Sequence, residues 1–105
     1  MTDALLVLTT HPDAEGAEAL ARTLVDERLA ACVNVLPRMT SIYTWEGTAQ
    51  RGEEHQLFIK TRAAAFDPLK ARLCELHPYD VPELIAVPVT HGLAAYLNWI
   101  DESTT

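Results

Sequence analysis

The chain has 105 residues, 49 % of them hydrophobic, and carries a net charge of −7 from 8 basic and 15 acidic side chains. Length and composition fit one globular domain and argue against a disordered chain. The basic residues are scattered, with no run among them, which disfavours a nucleic-acid groove and an anionic membrane surface.

The first element is "ALLVLTT", Ala4 to Thr10, an apolar run without alternation that predicts a strand buried on both faces. The run is too short for a signal peptide and no basic segment precedes it, and nothing in the chain approaches the ~20 apolar residues that span a bilayer. A cytosolic protein is expected, with Cys32 and Cys74 reduced and too few cysteines for a disulfide scaffold. "HPD" ends the strand, and Asp13 is placed to cap a helix. Ala17, Leu20, Ala21, Leu24 and Val25 then recur with helical spacing, predicting a helix from Asp13 to Arg28 with one apolar face.

"ACVNVLPRMTSIYTWEG" has strand composition, with Val33, Val35, Ser41, Tyr43 and Trp45 on alternate positions. At about sixteen residues it is far longer than the usual strand of five or six. Pro37 cannot donate to a sheet ladder, so a bulge or bend belongs near it. "EGTAQRGE" supplies turn chemistry and "HQLFIKTR" resumes as a strand, so these pieces make a long hairpin. A second helix runs through "AAAFDPLKARLCELH", with Phe66, Leu69, Leu73 and Leu76 on one side. Pro68 belongs in its first turn, which sets the start near Ala64 to Asp67, and Pro78 stops it. "ELIAVPV" is a short strand, Glu83 to Val89. A closing helix in "HGLAAYLNWID" carries Leu93, Tyr96, Leu97 and Ile100 on one side.

The order predicts an α+β protein with the ferredoxin-like split βαβ sandwich, βαββαβ plus a C-terminal helix, in a single domain over residues 1–105. The long hairpin carries Tyr43 and Trp45 beyond any obvious cover. An exposed arm of this kind invites a closed oligomer in which each hairpin adds to a neighbour's sheet; the competing expectation is a hairpin that curls back over its own core.

Three stretches, "LAACVNVLPRMTSIYTWEG", "IKTR" and "ELHPYDVPELIAVPVTHGLAAYLNWI", together resemble the CutA family of divalent-cation tolerance proteins, from the first strand to Ile100. The carrying residues are Ala30-Ala31-Cys32, the segment leading to Trp45-Glu46-Gly47, Lys60-Thr61, His77-Pro78-Tyr79 and Pro82-Glu83. The resemblance implies a ferredoxin-like protomer, a homotrimer built through the long hairpin, kinship in architecture with PII-like signalling trimers, and binding of copper or another divalent cation. In some bacterial relatives the proposed copper ligands are a cysteine ending the first strand and two adjacent histidines before the Pro-Tyr. Those places hold Thr9, Leu76 and His77 here.

Cys74 and His77, three apart on the second helix, are the candidate metal pair, since a thiolate and an imidazole suit copper or zinc. Two donors do not make a site. His11, His55, His91, Cys32 or Glu83 would have to complete the set. His77 also reads as a helix C-terminal residue bonding the last carbonyls, and Cys32 as apolar filler. Lys60, Trp45, Tyr79, Glu83 and Tyr96 are the candidate walls of an intersubunit cleft. Tyr43, Trp45 and Trp99 are the candidate oligomer contacts, because aromatics anchor interface cores. No nucleophile–base arrangement or Gly-rich phosphate loop is visible. The function that the family resemblance implies is a non-enzymatic trimer that binds divalent cations, copper foremost, in metal tolerance. A PII-like trimer sensing an anionic small molecule is the alternative, and an enzyme using His77 and Glu83 ranks last.

Overall fold

The computed structural model describes residues 2–105. Seven elements follow one another: β1 (Ala4–His11), α1 (Ala14–Asp26), β2 (Cys32–Trp45), β3 (Thr48–Arg62), α2 (Ala63–Leu76), β4 (Ile85–Pro88) and α3 (Ala94–Ser103). The four strands form one antiparallel sheet in the order β2-β3-β1-β4. This is the expected ferredoxin-like arrangement.

The core lies between one sheet face and the first two helices. Val7 on β1 and Leu57 and Ile59 on β3 meet Leu20 and Leu24 of α1 and Leu69 and Leu73 of α2. These strand positions are all odd-numbered, as the two-residue period of a pleated strand requires. The opposite face presents rows read across the register, Cys32–Lys60–Leu6–Val87 and Asn34–Phe58–Leu8–Ile85. Only the end of that face is covered, by α3, through a small cluster of Ala4, Ala31 and Ile100. Arg62 fastens the helix by donating to the carbonyl and hydroxyl oxygens of Thr104, and Arg28 donates to the carbonyls of Glu102 and Thr105. Two cations thus sit where the α3 dipole is negative.

Several boundaries differ from the expectation. Helix α1 stops at Asp26, because Arg28 takes the left-handed conformation (φ 61°) that closes it. Val25 is 39 % exposed instead of buried. Helix α2 starts at Ala63, directly off β3 and with its first amide held by the Asp3 carbonyl, so Pro68 falls in the second turn, on the exposed side. Leu76 is exposed where that helix ends. Strand β4 is shorter than expected, Ile85–Pro88 instead of Glu83 to Val89, and pairs with β1 as an exposed edge. In α3 only Ile100 is buried, with Leu97 partly so; Leu93 is 75 % exposed and Tyr96 faces outward beside Trp99.

The hairpin is long, and it does not curl back. Pairing of β1 with β3 ends at His11–His55, while β2 and β3 continue together to Trp45–Thr48. The arm from Met39 to Trp45 adds about 23 Å at ~3.3 Å per residue, which accounts for the 44 Å long axis. Its turn is only Glu46–Gly47, both with positive φ (51° and 77°), the two-residue geometry that matches strand twist. The remaining residues of "EGTAQRGE" belong to β3.

The bulge near Pro37 decides which way the arm's aromatics point. The register passes from Val35–Leu57 to Arg38–His55, so β2 spends one extra residue there. Before it, Val33 pairs with Ile59 on the helix side. After it, Met39, Ser41, Tyr43 and Trp45 pair with the even residues of β3 and share the open face. The alternation that grouped Val33 and Val35 with Tyr43 and Trp45 is thereby broken in two.

Candidate functional site

A cleft of about 800 Å³ opens between the distal hairpin and the segment from Pro78 to Glu83. Tyr43 and Trp45 reach it because of the bulge. Thr10 at the end of β1 and Gly52, Glu53 and Glu54 within β3 also line it. The Pro78–Glu83 segment is held by two contacts. Glu83 accepts a hydrogen bond from Gln56 Nε2 at 3.0 Å, and the Tyr79 amide donates to His77 Nδ1 at 3.1 Å. Burial, with Glu54 and Tyr43 adding to it, pushes the Tyr79 phenol above its usual pKa. Glu53 is held below the usual carboxylate range by hydrogen bonds from Arg38 and Arg51, each at 3.3 Å.

Of the five cleft residues named from sequence, Trp45, Tyr79 and Glu83 come together here within one chain. Lys60 and Tyr96 do not line this cleft. Lys60 stands opposite Cys32 on the open sheet face and donates to Asn34 Oδ1. Tyr96 stacks loosely on Trp99, ring centroids 5.5 Å apart. The cation beside Cys32 is therefore Lys60, while Arg28 serves α3.

Behind the cleft, three histidines are packed under the helices: His11 and His55 face each other across β1 and β3, and His77 caps α2. All three are more than nine-tenths buried. His77 Nε2 donates to the Thr10 carbonyl at 2.6 Å while Nδ1 accepts from the Tyr79 amide, so both nitrogens are engaged. His55 Nδ1 donates to the Leu36 carbonyl at 2.8 Å, pinning the bulge at the root of the hairpin. Its Nε2, like the Thr9 hydroxyl, is buried with no partner among the described residues. The His11 ring lies 5.4 Å from that of His77, with Nδ1 3.1 Å from the Asp13 carbonyl. Burial holds the His11 pKa below 6.5; Asp13 opposes that shift, and His77 and His55 add to it.

This arrangement does not suit His77 and Cys74 as a ready-made metal pair. A ligating imidazole needs a free ring nitrogen, and both of His77's are spent on backbone. Cys74 is exposed. Among the described residues, no three His, Cys, Asp or Glu side chains converge as a metal site. Nor are His77 and Glu83 set as an acid–base pair, since each is already committed to a structural hydrogen bond. The buried placement of His11 and His55 had a sequence signal: His55 is in phase with Leu57 and Ile59. Glu54 and Asp80 were not picked out, because no local pattern distinguishes them from solvated acids.

Residues 5–103 match the family described as CutA1 divalent ion tolerance protein. The chain belongs to the CutA1 family. It is 48 % identical over 99 residues to the divalent-cation tolerance protein CutA of Thermus thermophilus, covering 94 % of this chain and 96 % of that protein. The crystal structure of CutA from Xylella fastidiosa superposes with a TM-score of 0.96 at 47 % identity, covering 99 % of this chain and 100 % of that one. The chloroplastic protein CutA of Arabidopsis thaliana is 45 % identical over 95 % of this chain, which spans 55 % of the plant protein's length. The CutA of Archaeoglobus fulgidus, whose structure superposes with a TM-score of 0.93 at 33 % identity, is described as periplasmic. Among the described residues no helix is long and apolar enough to cross a membrane.

Proposed function

We propose that this CutA1-family chain acts as a non-enzymatic homotrimer that binds divalent cations, copper foremost, and contributes to metal tolerance. The family match over residues 5–103 carries the metal role. The open sheet face supports assembly: Ile85 and Val87 on β4 and Tyr43 and Trp45 on the arm are 46–63 % exposed in a single chain, and Ile42 is exposed on the other face of the arm. An uncovered edge strand beside an apolar arm is a template for another copy. Because His77 is committed to backbone, a bound ion draws its donors from exposed groups such as Cys74 and His91 or from more than one copy. Titration of the purified assembly with Cu²⁺ and Zn²⁺ by calorimetry tests the metal role; absence of heat at micromolar metal removes it. A His77→Phe variant that keeps its isotherm would place the donors elsewhere. Light scattering tests the assembly: a mass near 35 kDa, about three times the 11.6 kDa chain, is expected, and a monomer refutes it.

The cleft supports a second reading, a small-molecule sensor of PII-like architecture with one ligand site per chain. Its size lies in the range of small-molecule sites. A thermal-shift panel of metabolites tests this reading; a flat response across the panel counts against it.

A further inference from the structure

We infer that the interior place which the CutA resemblance gives to copper is closed to that ion in this chain, and that Thr9 is the residue that closes it. The proposed metal role then falls to surface donors or to donors shared between copies, and closure of the interior stands whether or not that role does.

The donor set at that place does not fit copper. Its three positions hold Thr9, Leu76 and His77. Leu76 has no donor atom and is 40 % exposed where α2 ends. His77 is buried, but Nε2 is engaged with the Thr10 carbonyl at 2.6 Å and Nδ1 with the Tyr79 amide at 3.1 Å. Thr9 is fully buried and offers a neutral hydroxyl oxygen, where copper prefers thiolate or imidazole. Thr9 and His77 are buried within one chain, so a neighbouring copy brings no donor to them.

Part of a soft-metal site is nevertheless in place. Among the described residues, Thr9 Oγ1 and His55 Nε2 are buried without a hydrogen-bond partner. Thr9 stands opposite Leu57 and His11 opposite His55, so Thr9 and His55 are diagonal neighbours on adjacent strands. Both are in phase with Val7, Leu57 and Ile59 and share the sheet face beneath α1 and α2. Diagonal neighbours are within reach of each other's longer side chains. The His55 ring is already oriented by its Nδ1 bond to the Leu36 carbonyl at 2.8 Å. That is the outer hydrogen bond that commonly fixes a metal-ligating imidazole. A thiolate at position 9, its proton released to buffer, would make a sulfur–nitrogen pair with His55, the soft donors that select cuprous ion. Cuprous ion is satisfied by two donors in a line, so the pair needs no third ligand in a neighbourhood where three do not converge.

The test compares the native chain, Thr9→Cys, and Thr9→Cys combined with His55→Phe, each as the purified assembly. Cuprous ion is supplied anaerobically in competition with a chromophoric chelator, and ¹⁵N resonances of the histidine rings are followed in the same titration. In the native protein the His55 and His77 rings should keep their shifts, whatever exposed donors bind. Thr9→Cys should take up one additional copper per chain about a hundredfold more tightly than any native site, and should move the His55 resonances. Adding His55→Phe should abolish that gain. Copper-induced shifts of His55 or His77 in the native protein overturn the inference by themselves, even should Thr9→Cys fail to fold. A Thr9→Cys chain that keeps its circular dichroism and assembled mass but gains no copper also overturns it, as does a gain that survives His55→Phe. A native chain that binds no copper anywhere agrees with the closed interior while removing the proposed metal role.

Discussion

Gly16→Ala should destabilise this protein, against the ordinary rule for a helix. Gly16 is the third residue of α1, and its φ is not in the left-handed region, so alanine meets no backbone strain. Helix propensity alone would favour alanine by up to ~1 kcal/mol. The added Cβ, however, overlaps Cε1 of His11 and stands 2.7 Å from Nε2. The ring has little freedom to move, being 5 % exposed and packed 5.4 Å from the His77 ring. Overpacking of this kind costs about 1–3 kcal/mol, so a net loss of about 1–2 kcal/mol is expected. Removing the ring should reverse the sign: in a His11→Ala background, Gly16→Ala should stabilise by up to ~1 kcal/mol. Urea unfolding of all four proteins at one protein concentration gives the cycle, since assembly makes midpoints concentration-dependent. A coupling of about 1–3 kcal/mol is expected for groups in contact. If Gly16→Ala raised the midpoint in the native background, the packing of His11 against the first turn of α1 would be refuted.

Burial keeps His11 below 6.5, so in acid the folded chain binds fewer protons than the unfolded one. Its contribution is complete above about pH 6.5 and is lost as pH falls through that value until His11 itself protonates, at up to ~1.4 kcal/mol per pH unit; denaturation midpoints from pH 8 to 5 check this, and His11→Leu should flatten that part of the slope. Arg62→Met removes the donors to Thr104 and should lower hydrogen-exchange protection of α3 selectively, at a cost of about 1–3 kcal/mol; equal loss of protection in α1 would contradict a local role. Deleting Pro37 removes the extra residue of β2 and turns Tyr43 and Trp45 to the helix side. That deletion should abolish assembly in light scattering, whereas Pro37→Ala, which keeps the count, should not.

Much of the fold was written locally. The 3.6-residue recurrence of Ala17, Leu20, Ala21 and Leu24 and the excess length of the hairpin survive in the structure; β1 is a strand as expected, but Leu6 and Leu8 lie half-buried on the open sheet face, so it is not buried on both faces. A bulge near Pro37 was legible because a residue without an amide hydrogen cannot sit in a continuous ladder. Boundaries were less legible, since Arg28 and the Asp3–Ala63 contact end or start helices through interactions outside the repeating pattern.

Local patterning was enough for the order of elements, the acidic character and the placement of Trp45, Tyr79 and Glu83 in segments that could meet. Tertiary structure alone decided that one extra residue in β2 swings Tyr43 and Trp45 onto the face shared with Thr10 and Glu54. It also decided that His77 spends both nitrogens on Thr10 and Tyr79, and that Lys60 stands with Asn34 away from the cleft. The physical reason is common to all three. Which face a strand residue points to, and which partner a polar atom finds, depend on register with a strand or loop far along the chain, and local composition does not encode that register.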